Sequence, residues 1–265
     1  MNFILHQATN IGRTHLLEYK NRQDACTIFN GLVFNRPIAI GVVCDGCSEG
    51  SNSEVGAQIG VSFLIRDTRS LLDMGVPVRV IPNILYQRLI EFLRQLVDGY
   101  NLESPVERAN FVKNNLLFTV VGFIVTKETS VIFFAGDGTI VIDDLVRHLE
   151  SNNLPIYPGY HLIDRNLLVN PSPLPNTFDT LPLITKQFKR LAIGSDAWKD
   201  ESDLLKEIWG YKHPAGLQRK LNQWSKTDKR FKDDVTIITL EILESQEGAS
   251  DASDSRRNQD PPQSS

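Results

Sequence analysis

The chain has 265 residues, 41% of them hydrophobic and 23% charged, with a formal net charge of -4. That length holds one large domain or two small ones, with enough apolar residues for a proper core. No basic patch stands out, which argues against a nucleic-acid partner. The longest apolar run, residues 116–125, is broken by Thr119 and Gly122 and is too short to cross a bilayer. The opening MNFILHQATN has neither a basic lead nor a long apolar stretch and does not read as a signal peptide. Cys26, Cys44 and Cys47 make no disulfide framework. The expectation is a soluble, cytoplasmic monomer with no membrane partner.

In chain order, residues 1–24 read as polar and irregular after a short apolar start. Ala25–Phe34 reads as a strand with a turn around Asn30-Gly31, pairing with Pro37–Cys44 across Asn35-Arg36. The second of these runs stops at Asp45-Gly46. Ser53 is an expected N-cap for a helix to Leu72, in which Gly56 and Gly60 let a neighbour pack closely. Pro82–Val97 is the clearest helix, with Leu85, Leu89, Leu93 and Leu96 on one face. Strands are then expected directly: Asn115–Thr126, Ser130–Ala135, and Thr139–Ile142 after the turn Gly136-Asp137-Gly138. Residues 143–185 are proline-rich and aperiodic and read as an irregular flap. Lys189–Gly194 reads as a strand ending in Ser195-Asp196. Two amphipathic pieces, Glu201–Trp209 and Pro214–Trp224, precede a last strand, Val235–Ile242. From Ser245 the composition turns to Ser, Asp, Gln and Pro, a tail expected to be disordered. Hairpins predominate, so the expected class is α+β, one domain over residues 1–244, antiparallel sheets with helices outside.

Asp24, Asp45, Asp137, Asp196 and Asp233 each abut an apolar strand. Singly, each reads most simply as a turn or cap residue. Their repetition is what carries chemistry, because strand ends in one sandwich converge. Crowded carboxylates repel one another and lose hydration, so they protonate or splay unless cations neutralise them. Oxygen-only ligands favour Mg²⁺ or Mn²⁺, and such clusters hold two metals about 3.5–4 Å apart that activate water toward phosphorus.

Local motifs narrow this further. Gln23-Asp24-Ala25, VVCDG (Val42–Gly46), AGDG (Ala135–Gly138), LAIGSDAWKD (Leu191–Asp200) and KDDVTIITLEI (Lys232–Ile242) occur in that order. Together they resemble the metal-dependent, type 2C (PPM-type) Ser/Thr protein phosphatases over roughly residues 12–243. Gly12-x-x-His15 and SEVGAQIGV (Ser53–Val61) resemble a divergent, bacterial-like branch. The resemblance implies a four-layer sandwich of two antiparallel β-sheets flanked by helix pairs. It implies that Asp45 bridges both metals and that the Gly46 carbonyl is a backbone ligand. Asp196 and Asp233 would complete the first site, and Asp24 would stand beside the second. Asp137, with Asp196, would hold a third, weaker metal. Asp45 and Asp196 would hold the water that attacks in line, without a phospho-enzyme. The substrate implied is a phosphoserine or phosphothreonine protein in a signalling pair with a cognate kinase.

The chain departs from the pattern at several points. Gln23 stands where many members have Glu, and Tyr19 where the phosphate-contacting arginine stands. His15, Lys20 and Arg22 are the candidate replacements, with the choice open. Cys47 takes the place of a histidine, and Phe118-Thr119-Val120 that of Gly-Thr-Thr. One alternative is a phosphatase-fold regulatory or binding module without turnover; another is hydrolysis of a small phosphoester. Cys44-x-x-Cys47 also has the spacing of a redox pair, but no short βαβ unit surrounds it. Oxidation of those two cysteines, which flank Asp45, would distort that ligand.

Overall fold

The apolar runs pair into two antiparallel sheets of five strands each. In the computed structural model, which describes residues 1–150, 156–168 and 173–243, one sheet runs β1 (Asn2–Asn10), β10 (Val235–Leu243), β9 (Arg190–Gly194), β6 (Gly138–Ile142), β7 (Leu145–Leu149). The other runs β2 (Ala25–Val33), β3 (Arg36–Cys44), β4 (Val120–Val125), β5 (Thr129–Ala135), β8 (Asp179–Ile184). Central strands bury both faces, so they read as continuous apolar runs; all six residues of β4 are buried.

Three apolar clusters mark three interfaces, hence four layers. Val43, Val121, Phe123, Ile193 and Ile238 fill the space between the sheets. The opposite face of β3, with Ile40, Val42 and Cys44, packs against α2 (Ser53–Asp73), α3 (Ile81–Asp98) and α4 (Pro105–Asn115). On the far side, Trp198, Trp224 and Phe231 pack with α5 (Gly216–Asn222) on the first sheet. That outer layer is thinner, because Ser202–Glu207 is a 3₁₀ segment and Gln223–Thr227 a π-turn. The glycines of α2 do admit a close neighbour: a Cβ on Gly60 would lie 2.6 Å from the Phe118 ring, and one on Gly56 2.3 Å from the Asn115 carbonyl oxygen.

The structure corrects several sequence expectations. Residues 2–10 are not irregular: β1 is an edge strand paired along its whole length with β10, and an edge needs only a partly apolar face. Arg13–Leu17 adds a short helix, α1. The first hairpin turns at Phe34-Asn35, both with positive φ (49° and 59°), and β2 runs straight through Asn30-Gly31. Ser53 is the first residue of α2, with Asn52 at the cap. A whole helix, α4, precedes the central strands; Ser104 caps it by accepting from the Glu107 amide, and Pro105 follows. The flap region 143–185 contains β7 and β8, short edge strands of the kind that tolerate Pro182. The tail expected from Ser245 lies outside the described residues. Among those described, no helix is long and apolar enough to cross a membrane.

Candidate metal centre

Antiparallel register brings the aspartates to one edge of the sandwich. Ala25 pairs with Cys44, Val43 with Val121, and Val120 with Ala135. In the other sheet Thr139 and Ile237 both pair with Gly194. Asp24, Asp45, Asp137, Asp196 and the 233–234 pair each lie just outside those residues. The chain leaves β3 through a bridge between Gly46 and Phe118, in which Asp45 O accepts from Thr119 N and Cys47 N donates to Leu117 O, at 2.8 and 2.9 Å. This pins the backbone on both sides of Gly46. A side chain there would collide with Ser53 and the Gln23 carbonyl.

The carboxylates destabilise one another. Asp24 is buried, and burial first, then the Asp234 charge, pushes its pKa up from 3.8 to about 7. Asp45, Thr236 and Ser195 lie close enough to moderate this, yet neither Asp24 oxygen has an aligned hydrogen-bond partner. Burial and then the Asp24 and Asp196 charges raise Asp45 well above the carboxylate range. Asp196 stands at the solvent side of the group; loss of hydration, then Asp233 and Asp137, raise it. One Asp137 oxygen is buried without a partner, as is the Gln23 amide oxygen. All five predicted carboxylates are therefore brought together; among the described residues the Lys and Arg ion pairs lie with other carboxylates, and His15 alone stands beside one of the five, Asp233. Buried, unpartnered carboxylate oxygens that repel one another fit hard divalent cations.

Of the candidate phosphate-contacting cations, His15 is turned inward. It is 4% exposed, with Nδ1 3.0 Å from Asp234 Oδ2 and Nε2 3.8 Å from Asp233 Oδ1. Lys20 pairs with Glu18 at 3.0 Å and donates to Ser48 O at 3.3 Å. Arg22 is half-buried; its Nε donates to Asp24 O at 3.0 Å, and it has no carboxylate partner among the described residues. Tyr19 is 96% exposed, with φ 56°.

Asp234 is a member of the site that sequence reasoning passed over. It is 3% exposed and accepts from the backbone amides of Gly12 (2.7 Å) and Gln23 (2.5 Å). Its neighbour Asp233 is exposed, and its Oδ1 accepts from Asp234 N at 2.8 Å. The doubled acid in Lys232-Asp233-Asp234 was the available signal. Ser195 also escaped notice: its Oγ accepts from Thr236 N and ties β9 to β10.

A two-sheet α+β sandwich with its acidic residues gathered at one edge is the architecture of a metal-dependent hydrolase family. The family model described as protein phosphatase 2C matches residues 11–153, more than half of the chain, and the chain belongs to that family. A search of curated protein sequences finds no match. Solved structures share the fold at low identity. The serine/threonine phosphatase Stp1 from Staphylococcus aureus superposes with a TM-score of 0.59 at 17% identity, over 92% of this chain and 96% of that one. The S. agalactiae serine/threonine phosphatase gives 0.58 at 13%, over 91% and 100%. PppA, a regulatory component of the Pseudomonas aeruginosa T6SS, gives 0.56 at 14%, over 92% and 99%.

Proposed function

We propose that this chain is a metal-dependent phosphomonoester hydrolase that removes phosphate from phosphoserine and phosphothreonine in proteins. The observation that carries the reading is the group of five crowded carboxylates at the sandwich edge, in which burial and like charge raise Asp24, Asp45 and Asp196, and oxygens of Asp24 and Asp137 are buried without a partner. Family membership and neighbours described as serine/threonine phosphatases support it. A domain of residues 1–244, a polar tail, cytoplasmic location, a cognate kinase and action as a monomer belong to the same proposal.

Asp45 and the Gly46 carbonyl would hold two divalent cations, Mn²⁺ or Mg²⁺. Asp196 and Asp233 would complete one site and Asp24 the other; Asp137 with Asp196 would hold a third, weaker one. When bound, the metals supply charge neutralisation for the phosphoryl oxygens and lower the pKa of water. Asp45 and Asp196 would hold and orient that water. Arg22, the candidate cation free of a carboxylate partner, contacts the substrate phosphate. No serine or cysteine nucleophile takes part. A groove of about 840 Å³ opens beside Gly136, walled by Arg147, His148, Thr177 and Asp179, and none of the five candidate carboxylates lines it.

Purified protein is expected to hydrolyse p-nitrophenyl phosphate or a phosphothreonine peptide with Mn²⁺ and to stop with chelator. Absence of metal-dependent hydrolysis of either substrate would overturn the reading in favour of a binding module.

A further inference from the structure

Asp234 connects two chain segments that carry different carboxylates of the site. Its Oδ1 accepts from Gly12 N and its Oδ2 from Gln23 N, the residue before Asp24. Its own amide donates to Asp233 Oδ1 at 2.8 Å. Thr14 N donates to Lys232 O at 2.9 Å, and a Cβ on Gly12 would stand 2.2 Å from the Asp233 carbonyl carbon, so the start of α1 lies directly on this loop. His15 closes the arrangement. Its Nδ1 is 3.0 Å from Asp234 Oδ2, off the axis of a regular hydrogen bond, and its Nε2 faces Asp233. Both amide anchors of Asp234 are buried, where an unpartnered polar group is costly.

We propose that Asp234, with His15 packed on it, is the positioning residue that fixes Asp24 and Asp233 at the separation two divalent cations require. The two ligands come from loops more than 200 residues apart, and Asp234 reaches both, its side chain holding the Gln23 amide before Asp24 and its own amide holding Asp233. Each Asp234 oxygen already accepts from a backbone amide, so the carboxylate is committed to holding the two segments together, although His15, Asp233 and Asp234 also lie close enough to share a cation. His15 shields and orients it and does not contact substrate. This rests on the metal-binding part of the proposed function, not on the hydrolysis.

The test is calorimetric titration of the full chain with Mn²⁺, with melting in chelator as the check on folding. Asp234→Asn and His15→Ala are each expected to weaken Mn²⁺ binding by about 10- to 100-fold, the range found for residues that orient metal ligands. The double variant is expected to be no weaker than Asp234→Asn alone, because the two act on one path. His15→Asn, whose amide stands where Nδ1 does, is expected to recover most of the affinity, and His15→Gln is not. Folded variants that bind Mn²⁺ like wild type, additive losses in the double variant, or equal recovery by Asn and Gln each overturn the proposal. If His15→Ala does not fold, the contrast between Asn and Gln decides. Wild type that binds Mn²⁺ without hydrolysing either phosphoester removes the proposed function and leaves this inference standing; wild type that binds no Mn²⁺ removes both.

Discussion

Asp24 and Asp45 extend the β2–β3 ladder by one step on either strand, just beyond its last pair, Ala25 and Cys44; both are buried and raised by burial, and the Asp24 charge raises Asp45 further while Asp45 partly offsets the rise of Asp24. A chain without a use for cations has no physical reason to place two desolvated acids there. Replacing one with a neutral isostere therefore acts in opposite directions on stability and function. Asp45→Asn is expected to raise the melting temperature in chelator, since it removes a buried, repelled charge. It is also expected to abolish the Mn²⁺-induced rise in melting temperature. The rate of metal-dependent hydrolysis should fall about 100-fold or more, equivalent to about 2.7 kcal/mol of barrier. Melting with and without Mn²⁺, alongside the assay, checks all three.

The pH dependence of the metal-free chain follows from Asp24. Its folded pKa, about 7, lies above the ordinary 3.8. A carboxyl raised in this way favours the folded state when protonated, and that contribution is complete below the unfolded pKa. It is lost progressively as pH rises from 3.8 through about 7. Asp45 and Asp196 are raised too and act with the same sign. In chelator, Asp24→Asn should therefore gain in melting temperature over wild type as pH rises through this window, and lose that advantage toward pH 4. Mn²⁺ competes with the same protons, so its affinity should increase over the same rise in pH.

Substrate contact is expected to depend on Arg22 more than on Lys20. Lys20 already holds Glu18 and Ser48 O, while Arg22 faces the Asp24 backbone without an acid of its own. Arg22→Ala should raise KM about 10-fold, as for loss of one charged phosphate contact of about 1.4 kcal/mol. Lys20→Ala should change it less than Arg22→Ala. Tyr19→Arg should leave KM near wild type, because position 19 points into solvent. Steady-state kinetics on the phosphothreonine peptide would separate these outcomes, and a larger loss in Lys20→Ala would reverse the assignment.

The cysteine spacing is not expected to make a redox switch. Cys44 is fully buried in the layer between β3 and α2, and burial followed by the Asp45 charge pushes its thiol well up. Cys26 is raised to about 12, again mainly by burial. Thiols held protonated react slowly. Activity should be equal with and without reductant, in wild type and in Cys47→Ser; inhibition by oxidant that Cys47→Ser removes would contradict this.

Packing around Phe118 should dominate the stability of the edge that carries the site. Its ring is fully buried against Gly60, and its backbone bridges to Gly46. Phe118→Ala is expected to cost about 3–5 kcal/mol, read from urea unfolding in chelator. Ser104→Ala, which removes only the α4 cap, should cost about 1 kcal/mol.

Central strands and long helices were legible in the sequence because their signals are local. Buried strands are continuous apolar runs, α3 has a leucine face, and the strand-ending aspartates sit at fixed distances from those runs. The edge strands were hidden for a physical reason. β1, β7 and β8 carry weak patterns, and their conformation is set by partners far along the chain: Asn2 pairs with Leu243, and Thr129 with Ile184. α4 does carry a local signal, the Ser104 cap with Pro105 and Glu107 behind it, but lacks the long apolar face that marks α3.

The sequence by itself determined which acids stood at strand ends, and hence the hard-metal chemistry open to them. Only the tertiary structure decided how those acids are held. It turned His15 inward, left Arg22 without an acidic partner among the described residues, and made Asp234 the tie between the segment before β2 and the loop before β10. Such a tie joins Gly12 to a residue 222 positions away. No local pattern encodes it, because it exists only when two sheets stack and bring their ends to one edge.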